Sequence, residues 1–150
     1  NLERRGLAHC HVRYGDILSL PEPAACADVV VIHQVLHYLD DPRAAVQEAA
    51  RLLKPGGRLL IVDFAPHEVE SLRESHAHRR LGFPLAGMTD FGSAAGLGME
   101  AVRDLPPGTN ETAQLTVSIW LASMAPDAAV PRGGHGQPDA KLTSKQKESV

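Results

Sequence analysis

Hydrophobic positions alternate along the chain between short apolar runs and longer amphipathic segments, the pattern of strands interleaved with helices. Residues 11–14 form the first strand candidate, closed by Gly15 and Asp16. Residues 28–32 form the second, with the continuous run Val29, Val30, Val31, Ile32. A strand apolar on both sides predicts a parallel sheet with helices on each face. Asp41 then offers a helix N-cap, Pro42 a first helical residue, and Val46, Ala49, Ala50 and Leu53 a single apolar stripe. Lys54 falls in the last turn, and Pro55-Gly56-Gly57 is expected to end the helix and turn the chain. Residues 59–62 read as another doubly buried strand, so this unit predicts a right-handed crossover between parallel strands.

Residues 68–80 read as a charged helix on the surface or forming a lid, and 88–97 as a shorter helix. Residues 99–105 and 115–121 alternate as half-buried strands do. The turn-rich Pro106, Pro107, Gly108 and Asn110 between them predict an antiparallel pair. Past Pro126 the chain turns to Pro, Gly, Lys, Ser and Gln, which predicts a folded unit over 1–124 and a disordered tail over 125–150. Leu2, Glu3, Arg4 and Arg5 before Gly6 read as the end of a helix, so the chain is expected to be the C-terminal part of something longer.

Charge changes the picture by exclusion. With 15 Lys+Arg against 18 Asp+Glu, a net −3, the chain carries no basic surface of the kind nucleic acid or an anionic membrane requires. No apolar run approaches the roughly 20 residues needed to span a bilayer, and no leader is visible. Cys10 and Cys26 are far apart and share no metal or redox spacing, which suits a reducing compartment. A soluble, cytoplasmic protein is expected.

In an open parallel sheet, ligands bind beyond the carboxyl ends of the strands. The residues there are Asp16, His33 with Gln34, and Asp63. Polar residues at strand ends also occur simply as loop starts, and position alone favours that reading. His33-Gln34-Val35-Leu36-His37 resembles a zinc-protease motif, but Gln34 cannot serve as a base and the apolar run before His33 puts it at a strand end. His9 with His11, and His76 with His78, lack further ligands at a metal spacing; solvated or hydrogen-bonded histidines are expected, and no metal site. Glu70, Glu74 and His78 are expected to line a polar helix face. The glycines at 92, 96 and 98 suit a helix C-cap better than a phosphate loop.

The segments Val12-Arg13-Tyr14-Gly15-Asp16-Ile17, Ala27-Asp28-Val29-Val30-Val31, His33 through Pro42, and Arg51-Leu52-Leu53-Lys54-Pro55-Gly56-Gly57 resemble, in order and spacing, a class I S-adenosylmethionine-dependent methyltransferase. The stretch from Asp63 to Phe83 and the closing Leu115–Leu121 resemble more specifically the methyltransferase half of bacterial proteins fused to an arsenic-repressor-like winged helix. The resemblance implies a partial doubly wound α/β sheet, mostly parallel with an antiparallel last strand and lacking its N-terminal strands. It implies that Asp16 accepts a hydrogen bond from the adenine amino group with the Ile17 backbone beside it, and that His33 and Gln34 line the same S-adenosylmethionine pocket. Asp16, His33 and Gln34 are then expected on one rim, around a single nucleoside. The glycine-rich loop and the ribose-binding acid of the family would lie upstream of Asn1. The implied partner is a small-molecule methyl acceptor of unknown identity, with DNA reached only through an upstream domain; a ligand-sensing module or an inactive fragment are the alternatives. No catalytic base is assigned, though His37 and His67 fall near the expected mouth.

Overall fold

In the computed structural model, which describes residues 9–108 and 115–127, the first helix begins where Asp41 stops the chain from fraying. Its Oδ1 accepts a hydrogen bond from the Ala44 amide at 3.0 Å, satisfying a donor that every helix leaves open at its start. Pro42 sits where no N–H is needed. Helix α1 (Pro42–Leu52) buries Ala45, Val46, Ala49, Ala50 and Leu52 along one side.

Strand β1 (Ala27–His33) precedes α1 and strand β2 (Leu53–Phe64) follows it directly. The expected stop at Pro55-Gly56-Gly57 is instead a bulge within β2. The β1–β2 register jumps there from Ala27 opposite Leu53 to Val29 opposite Arg58. Gly56 adopts φ +77°, and a Cβ on Gly57 would lie 2.9 Å from the Lys54 carbonyl oxygen and 3.2 Å from that of Asp28. Only glycine lets the two strands close around the excess residues.

After β2 come helix α2 (Ser71–Ser75), helix α3 (Leu85–Ala94), and strands β3 (Leu97–Leu105) and β4 (Val117–Met124). The sheet order is β1-β2-β4-β3. β1 and β2 are parallel, and β4 lies between β2 and β3, antiparallel to both. Three strands therefore point one way and the last runs against them, an α/β sheet of the expected type. Ile32, Leu59, Ile61, Trp120 and Ala122 form one core face, on which Val46 and Ala50 of α1 and Met88 of α3 pack. Gly96, at φ +76°, turns the chain out of α3 into β3, the C-cap role expected of that glycine cluster.

Three expectations are corrected. Residues 11–14 are not a strand; Val12 and Tyr14 are exposed and have no neighbouring strand to bond to among the described residues. β1 is not buried on both sides, since Val29 and Val31 remain 58% and 55% exposed on the face away from α1 and α3. The charged helix over 68–80 shrinks to Ser71–Ser75, because the chain turns through φ +54° at Ala77. The basic stretch at residues 2–5, Asn110 and the tail beyond 127 lie outside the described residues. No helix among the described residues is long and apolar enough to cross a membrane.

Leu59, 1% exposed, sits at the centre of the core face. Leu59→Ala is expected to cost about 2–5 kcal/mol in urea unfolding; a loss under about 1 kcal/mol would place the core elsewhere.

Candidate functional site at the carboxyl edge of the sheet

The loop carrying Asp16 is held by α1. Glu48 accepts the Leu20 amide at 2.7 Å, while Arg51 donates to the carbonyls of Leu20 and Glu22 at 3.2 and 3.0 Å and to Glu48 at 2.7 Å. The Arg51 hydrogen bond holds the Glu48 carboxyl below its ordinary range, and the Glu48 carboxylate raises Arg51 in return. Within this clamped loop Asp16 is exposed, and its Oδ1 accepts the Leu18 amide at 2.9 Å. Ile17 is half-buried against the core.

His33 is the last residue of β1, exposed and opposite Val62. Gln34 follows at φ +48°, its amide donating to the Val62 carbonyl at 2.7 Å. A left-handed glutamine is strained by about 1–3 kcal/mol, and here it swings the chain off the sheet into the 3₁₀ turn Leu36–Tyr38. His33 and Gln34 thus sit together at the strand end as expected. No hydrogen bond among the described residues joins them to Asp16.

The turn delivers His37 to Asp63, near the end of β2, and both are buried (1% and 0% exposed). Asp63 Oδ2 accepts the Leu36 amide at 3.0 Å; Oδ1 accepts the Phe64 amide at 2.8 Å and lies 2.6 Å from His37 Nδ1. A carboxylate only accepts, so Nδ1 carries the hydrogen and Nε2 is left with the lone pair. Asp63 stands near a strand end that the chain pattern marks, whereas His37 lies in the turn beyond β1, and their pairing across 26 residues has no periodic signal.

His37 is roofed by aromatic groups. Tyr38, His78 and Phe64 rings lie 4.0, 4.3 and 5.0 Å from it, centroid to centroid. His78 also stacks on Phe64 at 5.7 Å, and His67 meets the Phe64 edge. The polar helix face expected to hold His78 does not form: beyond Ala77 the imidazole turns inward and is 6% exposed. His37 Nε2, His67 Nε2 and His78 Nδ1 are buried without hydrogen-bond partners. Burial pushes His67 and His78 below the ordinary histidine range, and neighbouring imidazoles push the same way. A zinc-protease pairing of His33 with His37 has no geometric basis, one being exposed on a strand and the other buried in a turn.

Asp63→Ala strands three buried N–H donors at once. It is expected to cost about 3–5 kcal/mol in chemical unfolding; a change below about 1 kcal/mol would mean the carboxylate organises nothing.

Residues 1–61 match the family described as the methyltransferase domain. The chain is 37% identical over 75 residues to a ubiquinone/menaquinone biosynthesis C-methyltransferase of Caulobacter, covering 50% of this chain and 30% of that protein. It is 45% identical over 51 residues to the 27-O-demethylrifamycin SV methyltransferase of Amycolatopsis mediterranei, covering 34% of this chain and 19% of that one. The chain thus spans under a third of the length of these curated relatives. Among solved structures, YcgJ of Bacillus subtilis superposes with a TM-score of 0.66 at 20% identity, over 83% of this chain and 75% of that one. A geranyl diphosphate methyltransferase in complex with SAM gives 0.69 at 15% identity, over 83% and 62%. The fold is that of the class I methyltransferases, and residues 1–61 carry the methyltransferase-domain match.

Proposed function

We propose that the protein carrying this chain transfers a methyl group from S-adenosylmethionine to a small-molecule acceptor. The observation that carries this reading is the methyltransferase-domain match over residues 1–61, which contains Asp16, Ile17, His33 and Gln34. The donor set suits the nucleoside end of that cofactor. Asp16 is an exposed, acceptor-only carboxylate on a loop that Glu48 and Arg51 hold in place, which is what an exocyclic amino group needs. His33 and Gln34 sit at a parallel strand's carboxyl end, where ligands of such sheets bind. When bound, the cofactor supplies a methyl group on a sulfonium, a good leaving group, so the protein's task is mainly to align donor and acceptor.

A hydroxyl or amine that gains a methyl must lose a proton. His37 is the group this chain offers for it: Nε2 holds the lone pair because Nδ1 is committed to Asp63. The acceptor's O–H or N–H bond breaks, the proton goes to Nε2, and the imidazolium so formed faces the Asp63 carboxylate.

Calorimetric binding of S-adenosylmethionine and S-adenosylhomocysteine tests the adenine contact. A hydrogen bond to a charged group is worth about 1.5–3 kcal/mol, so Asp16→Ala is expected to weaken both ligands by about tenfold to a hundredfold. Unchanged affinity for both would remove Asp16 from the site.

A further inference from the structure

Residues 66–81 leave β2 and return to almost the same point. The Phe83 amide donates to the Phe64 carbonyl at 2.9 Å and the His67 amide to the Leu81 carbonyl at 3.0 Å. Gly82, at φ +84°, closes the neck: a Cβ there would lie 2.0 Å from the Ala65 carbonyl oxygen. A surface segment of this length with pinned ends is an Ω loop, and only its neck is fixed by the sheet.

Few bonds hold the loop on the site, one of them from Arg80 Nη2 to the Asp40 carbonyl at 3.0 Å. The Arg79 and Arg80 amides donate to the His37 carbonyl at 3.0 and 3.2 Å. The Arg79–Asp40 ion pair at 2.5 Å is more than half exposed on both sides and adds little. Among the described side chains of 66–81, His78 alone is buried. It rests on His37, Tyr38 and Phe64 through ring contacts, with Nδ1 unpartnered.

We propose that residues 66–81 are a lid over His37 that protonation of His78 opens, uncovering the His37 imidazole for the methyl acceptor. The physical reason is that a cationic His78 would bring a buried, unpaired N–H against a second imidazole 4.3 Å away. The charged and titratable groups around it oppose the cation on balance. From the turn after β1 come His37, Tyr38 and Asp40; from the loop, His67, His76, Glu70, Arg73 and Arg79; from β2, Asp63. Asp63 favours the cation, but His37 and two backbone amides already occupy its oxygens. Glu70 and Arg73 pair with each other at 3.0 Å, and Arg79 pairs with Asp40. With folded His67 and His78 held below the ordinary histidine range, the closed loop binds fewer protons than the open one. Closure is therefore fully favoured above about pH 6.5 and weakens as pH falls below it.

What the lid uncovers rests on the reading of His37 given above; the opening itself does not. Amide hydrogen exchange on the full chain, without cofactor or acceptor and corrected for intrinsic rates, reads it directly. Arg79 and Arg80 are expected to exchange through an opening far more frequent than that of Ile61 in β2. Their opening constant should rise below pH 6.5 by up to about tenfold per pH unit for each imidazole the opening frees. His78→Phe, and equally His78→Gln, should flatten that rise to at most the share His67 carries; the second variant serves if the first does not fold. Exchange of Arg79 and Arg80 at the same opening constant as Ile61, a constant that does not move between pH 7.5 and 5.5, or a wild-type rise in both variants would each overturn the lid. Failure of methyl transfer or cofactor binding leaves this measurement untouched.

Discussion

The Asp63 carboxylate is the constraint on which the carboxyl edge of the sheet depends. It is fully buried and accepts from Leu36, His37 and Phe64 at 2.6–3.0 Å. A lone carboxylate in such a place would be very costly to desolvate. Three N–H donors offset that cost, and together they fix three things: the exit of β2, the 3₁₀ turn that follows β1, and the tautomer of His37. Parallel pairing of β1 with β2 brings the two strand ends side by side, and Asp63 converts that proximity into one defined geometry.

The left-handed Gln34 belongs to the same arrangement. Its strain is held by the amide bond to the Val62 carbonyl on one side and by the Leu36–Asp63 bond a step later. On the other flank, Glu48 and Arg51 tie the Asp16 loop to α1 through side-chain bonds to backbone atoms of residues 20–22. Rigid elements therefore present Asp16, His33 and Gln34, while the covering segment 66–81 is attached at its neck, through the His78 imidazole and through bonds from Arg79 and Arg80 to the turn after β1. Such a division between a stiff platform and a weakly held cover is where low-energy local opening is found.

Much of the scaffold was legible because its signals are local. The Asp41-Pro42 cap and the Val46–Ala49–Ala50 stripe act within a few residues and formed as expected; the alternation of Val117, Ile119 and Leu121 marked a strand that formed, but its core face carries Ser118, Trp120 and Ala122. The misreadings share another cause. Residues 11–14 have strand-like composition but no neighbour to pair with. Leu53 fits the helical stripe and is buried, yet it belongs to β2, because a bulge absorbs Pro55-Gly56-Gly57. Over 68–80 the helical charge pattern yields to the turn at Ala77, which trades a solvated His78 for one packed on His37. At the site, strand ends mark His33, Gln34 and Asp63, while the strand expected before Asp16 does not form. The bond between Asp63 and His37 depends on how two strands align, which no window of sequence contains.

A double-mutant cycle on His37→Ala and Asp63→Ala, followed by chemical unfolding at neutral pH, tests this dependence most directly. Two groups sharing a buried hydrogen bond are expected to show a coupling energy of about 1–3 kcal/mol. Additive losses, with coupling indistinguishable from zero, would mean that the carboxyl edge is assembled by something other than this pair.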